Sequence, residues 1–134
     1  MSQNITTEEF EMDFDRYIEN IHSDLAYWKL VDDAGAPLPD QIFRYSNRIF
    51  RTSYRIMVLK GKRGRLASDE VSPTERQAEL LSEYDNLLDL LEPLLEWLQV
   101  MKEDLQDLWV ARIRGDEETA REIAEAMESE PGFF

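Results

Sequence analysis

From residue 10 onward, an apolar side chain returns every three or four positions: Phe10, Phe14, Tyr17, Ile21, Leu25 and Trp28. Residues at that spacing share one face of a helix. Thr6 precedes the run as a capping residue, with Glu9 three positions on to complete the box. The spacing therefore predicts a helix over 7–30. The segment Asp32-Asp33-Ala34-Gly35-Ala36-Pro37-Leu38-Pro39 cannot continue the pattern and reads as a loop. A second helix is predicted over 40–60, with Ile42, Phe43, Tyr45, Ile49, Phe50, Ile56 and Met57 spread over a broad arc. Ser46 and Ser53 fall inside that arc, where small side chains permit the close approach of a neighbouring helix. Arg44, Arg48, Arg51 and Arg55 take the remaining sector. Lys60-Gly61-Lys62-Arg63-Gly64-Arg65 then reads as a glycine-interrupted basic loop over 60–65.

The third helix is predicted over 73–114, opened by Ser72 as the cap, Pro73 at its first position and Glu75 closing a capping box. Leu80, Tyr84, Leu87, Leu91, Leu94, Leu98, Met101, Leu105 and Leu108 hold a heptad pattern across it, widened by Leu81, Leu88, Leu95 and Trp109. Pro93 removes one backbone hydrogen bond without breaking the phase, so a kinked single helix is expected there. Gly115 ends it and Asp116 caps a short fourth helix over 117–128, which carries Ala120, Ile123, Ala124 and Met127. A tail over 129–134 ends in Phe133-Phe134, expected to pack on the protein rather than stand in water.

The expected fold is one all-α domain over 1–134: a small antiparallel helical bundle of three substantial helices and a short fourth. The third helix would run roughly 60 Å against about 30 Å for the second. Its excess apolar surface needs the kink, the fourth helix or another copy to cover it. A homodimer is therefore expected along Leu87, Leu91, Leu94, Leu98, Met101, Leu105 and Leu108. Lys102, in line with Leu81, Leu88 and Leu95, is expected to run its stem along the seam and reach water.

Charge changes this picture because it is segregated. The chain holds 15 Lys and Arg against 29 Asp and Glu, a formal net charge of −14. Residues 44–65 nevertheless contain eight cations and no acid: Arg44, Arg48, Arg51, Arg55, Lys60, Lys62, Arg63 and Arg65. Three readings follow. The cations face acidic flanks of the first and third helices within the chain, with Glu75, Glu79 and Glu83 on a suitable line. Alternatively the basic stripe and loop contact nucleic-acid phosphates, with Tyr54 near enough to stack, against repulsion from the acids elsewhere. Or the charged surface docks on a complementary protein, mimicry of nucleic acid by the acids being one version of this.

Candidate chemistry is sparse. There is no cysteine, hence no disulfide framework or thiolate ligand, and His22 is the single histidine. Glu19 and His22 have the Glu-x-x-His spacing of di-iron bundles, but a site needs a second such pair. Asp85, Asp89, Glu92 and Glu96, and again Glu118, Glu122 and Glu125, read as solvated faces rather than acid–base pairs. Gly61 and Gly64 do not form a phosphate loop, since no strand precedes them. No cofactor, metal or membrane span is expected, and Met1-Ser2-Gln3-Asn4 has no leader character. The sequence thus predicts a cytoplasmic, non-catalytic interaction or regulatory protein with a protein partner. A nucleic-acid accessory protein using residues 44–65 is the disfavoured alternative.

Overall fold

The computed structural model describes residues 7–68 and 74–129. Among them are four helices and no strand: α1 (Thr7–Leu30), α2 (Leu38–Ser68), α3 (Glu75–Ile113) and α4 (Glu117–Ser129). The all-α bundle expected from the sequence is the fold. Thr6, Ser72, Pro73, Phe133 and Phe134, all given roles above, lie outside the described residues.

Packing divides the chain into two units. The first comprises residues 1–30 and 54–92, the second residues 31–53 and 93–134. In the first, α1 buries Phe10, Phe14, Ile21 and Trp28, the stripe read from its spacing. In the same unit Ile56, Leu59 and Leu66 of α2 and Leu80, Tyr84, Leu87, Leu88 and Leu91 of α3 are also buried. The Phe14 and Tyr84 rings lie 4.9 Å apart and tilted, and the Tyr84 hydroxyl donates to the Phe10 carbonyl at 3.3 Å. Each fully buried side chain of this size contributes about 1.5–3 kcal/mol relative to exposure. In the second unit, α2 contributes Tyr45, whose ring stands 6.1 Å from Trp97, and α3 contributes Leu94, Leu98, Leu105 and Leu108. The amphipathic face of α4 closes over Leu108 and Ala111 with Ala120, Ile123, Ala124 and Met127, beside Leu38.

Two boundaries differ from expectation. The predicted basic loop is helical: α2 continues through Gly61 and Gly64 to Ser68. Two glycines inside a helix cost about 1 kcal/mol each. Burial of Leu59 and Leu66 on either side of them offsets this, as do ion pairs from Lys60, Lys62 and Arg63. At α3 the capping box sits two residues later than predicted. The Gln77 backbone N–H donates to the Thr74 hydroxyl at 3.2 Å, and the Gln77 side-chain oxygen accepts from the Thr74 N–H at 2.8 Å. Gln77 is buried as it returns the bond, and the described helix runs from Glu75.

The helix α3 runs through Pro93 unbroken. Its end follows the sequence closely. Gly115 adopts φ +72°, its N–H donates to the Arg112 carbonyl at 3.1 Å, and the Asp116 N–H donates to the Ala111 carbonyl at 2.9 Å. That paired arrangement is a Schellman turn. Asp116 then caps α4 by accepting from the Thr119 N–H at 3.2 Å. Hydrogen bonds from Thr119 hold the Asp116 carboxyl below the usual carboxylate range.

Candidate functional site

The broad apolar arc predicted for α2 is divided between two faces. Tyr45, Thr52, Leu59 and Leu66 recur every seven residues and are all buried. Beside them two of the four arginines also turn inward, Arg48 at 4% exposed and Arg55 at 9%. Phe43, Phe50, Tyr54 and Met57 instead face water, at 66%, 72%, 53% and 62% exposed. The expectation that the broad apolar arc makes this helix central is therefore corrected for Phe43, Phe50, Tyr54 and Met57, while Arg48 and Arg55 face acids of the same chain, one of the three readings of the basic stripe.

The inward turn of Arg48 has a local cause. The Ala36 N–H donates to the Asp33 carbonyl at 3.1 Å, a turn in the loop before α2 that carries the Asp33 carboxylate. Arg48 donates to both Asp33 oxygens, at 2.8 and 3.0 Å, and lies 5.0 Å from the centre of the Tyr45 ring. A two-pronged pair of this kind is among the stronger ion pairs available to a protein. Arg44 shares the same carboxylate at 3.4 Å. In the first unit Arg55 donates to Asp24 of α1, so the second inward arginine is also answered by an acid. Burial pushes the Tyr45 hydroxyl above its ordinary pKa, and the nearby Asp33 charge adds to that shift.

The former loop residues are paired as well. Lys60 meets Glu92 at 2.9 Å, Lys62 meets Asp13 and Arg63 meets Asp85. The Arg63 hydrogen bond holds the Asp85 carboxyl below its usual range. Six of the eight cations of 44–65 thus have a named acid in this chain, and Arg51 and Arg65 engage further contacts. The partner acids are Asp13, Asp24, Asp33, Asp85 and Glu92, not the Glu75–Glu79–Glu83 line. Glu79 and Glu83 pair with Arg76, which also reaches Glu11. Asp85 and Glu92, read from the sequence as part of a solvated face, turn out to be helix-to-helix ion partners.

The heptad line of α3 is covered within the chain. Leu87, Leu91, Leu94, Leu98, Leu105 and Leu108 are buried and Met101 is half-buried. The 31 residues of α2, rather than the shorter helix predicted, and the amphipathic α4 both pack against α3. Lys102 is half-buried and His22 exposed. Among the described residues no group of three His, Cys, Asp or Glu side chains is placed to hold a metal ion. No described helix is long and apolar enough to cross a membrane. A groove of about 410 Å³ runs along the second unit between Leu38, Leu105, Ala124 and Met127, with Gln41, Arg112 and Glu128 also on its walls.

What sequence reasoning missed is the outward stripe. Phe43, Phe50 and Met57 are seven apart, with Asn47, Tyr54 and Gly61 between them at spacings of four and three. On a helix these positions form one seam. The signal was present in the seven-residue line Tyr45, Thr52, Leu59 and Leu66, which crosses the glycines and fixes the opposite side as the core face. The structure therefore defines a small all-α bundle bearing an aromatic stripe on a helix whose other side is locked by buried arginines. The chain matches no protein-family model, no curated protein and no solved structure.

Proposed function

We propose that this chain is a non-catalytic interaction protein that binds a protein partner through the outward face of α2. The observation that carries the reading is the exposure of Phe43, Phe50 and Met57, seven residues apart, with Tyr54 beside them on α2. Large apolar side chains scattered singly over a surface are ordinary, but an aligned stripe of them marks a contact surface. Aromatic and Met side chains are also the types enriched where proteins meet. The apolar centre of the stripe favours a protein partner over nucleic acid, because a backbone of phosphates has no use for exposed phenylalanine and methionine side chains. A cytoplasmic setting belongs to the same reading, as does a partner of different sequence, since the α3 seam is filled within the chain.

The test is site-specific photo-crosslinking in the native cell. A photoreactive phenylalanine at position 50 should yield a discrete protein adduct, and the same group at exposed Glu118 should not. Adducts of equal yield at both positions, or none at position 50, would reject the reading.

A further inference from the structure

The outward stripe of α2 is apolar along its centre and cationic along one edge. At 100° per residue, Phe43, Phe50, Tyr54, Met57 and Gly61 lie within about 60° of one another. Arg44, Arg51 and Arg65 flank them on one side, and Ser46, Ser53 and Lys60 flank them on the other. No acid occurs on α2 between Gln41 and Ser68, so nothing on the helix itself can answer a cation presented by a visitor. Arg51 and Arg65 are exposed alongside their contacts within the chain, and the Arg44 side chain stays 38% exposed while it reaches the Asp33 carboxylate and the Asp32 carbonyl, both at 3.4 Å. The serines make the opposite edge low, which lets another helix backbone come near.

We infer that this face docks an acidic amphipathic helix of a partner protein. Its apolar side would lie on Phe43, Phe50, Tyr54 and Met57, and its carboxylates beside Arg44, Arg51 and Arg65. The inference rests on the proposed interaction reading and specifies the partner's chemistry. Charge complementarity selects this occupant over two others. A second copy seated α2 against α2 would set Arg44 and Arg51 of one chain against those of the other, and like charges across a helix seam disfavour pairing. An anionic membrane would meet the same cations, but the chain's net charge of −14 opposes a charged lipid surface more strongly than it opposes one short helix. Asn47, polar and exposed within the stripe, gives the seam a position that can fix register.

The probe is a synthetic peptide of about three heptads with Leu at the two seam positions and Glu at the flanking ones, matched by a peptide with Lys at those flanks. Binding to the full chain is read by fluorescence anisotropy. The Glu-flanked peptide should bind at least tenfold more tightly than the Lys-flanked one, and more weakly as salt rises. Phe50→Gln and Phe43→Gln should each weaken binding at least tenfold with an unchanged circular dichroism spectrum. Arg51→Glu should narrow or reverse the preference between peptides, a result that loss of apolar contact alone does not produce. Equal affinity for both peptides overturns the inference. So does a stripe-dependent rise in mass by light scattering, which would name a second copy, or stripe-dependent binding to phosphatidylserine vesicles, which would name a membrane. If the Glu-flanked peptide fails to bind while the position-50 crosslink still forms, the acidic-helix inference falls and the interaction reading stands. If neither occurs, both fall.

Discussion

Arg48 is the residue on which the second unit's polar interior turns. Its guanidinium is almost fully withdrawn from water and is answered by a carboxylate that remains about a fifth exposed. Removing the acid takes two charge-assisted hydrogen bonds from a nearly buried cation, and weakening the compensation of a buried charge costs several kcal/mol. Asp33→Ala should therefore lower stability by about 3 kcal/mol, toward the lower end of the range for a broken buried pair because Asp33 is not fully enclosed. Arg44→Ala, which removes the longer and more exposed contact to the same carboxylate, should cost no more than about 1 kcal/mol. Urea unfolding followed by circular dichroism measures both. Equal losses for the two variants would show that Arg48 is no more dependent on Asp33 than its exposed neighbour is.

Among the elements, α2 separates what periodicity reveals from what it conceals. Gly61 and Gly64 are exposed in a helix, and a Cβ added at either meets nothing within 4 Å. Gly61→Ala and Gly64→Ala should each stabilise the protein by about 0.5–1 kcal/mol, because alanine narrows the unfolded ensemble and clashes with nothing in the folded one. A fall in the thermal midpoint for either would contradict a helical 60–65 segment. The sequence made α1, the heptad line of α3, and the Gly115–Asp116 junction legible, since each is written in local spacing or in a single backbone requirement. It concealed the orientation of α2. A helical wheel groups the four arginines without saying which of them find acids, whereas Arg48 and Arg55 are drawn inward by Asp33 and Asp24, which lie 15 and 31 residues away. Glycine likewise reads as a break, and only the buried Leu59 and Leu66 around it show that the helix persists.

Across the whole molecule, each packing unit buries one tyrosine that resists ionisation: Tyr84 in the first and Tyr45 in the second. Burial is the leading cause in both, and it disfavours the phenolate. Their folded pKa values lie above the unfolded value of about 10. The stability they confer is fully present below that value and is lost as pH rises through the folded ones. In an alkaline titration, Tyr45 and Tyr84 should ionise only as helical circular dichroism disappears. Tyr45→Phe and Tyr84→Phe, compared by phenolate absorbance, assign the two late steps. Ionisation of all the tyrosines before any loss of helix would contradict their burial.

The Asp33–Arg48 pair also constrains how such a chain can change through descent. A lone substitution at position 33 takes both Asp33 hydrogen bonds from the buried Arg48 guanidinium, and a lone apolar replacement at position 48 leaves the Asp33 carboxylate with the weaker Arg44 contact. Each single step is thus a loss, while a double replacement by matched apolar side chains can be neutral or better. Lineages carrying this fold should keep both residues or exchange both, so that a loop position and a helix position 15 residues apart vary as one character.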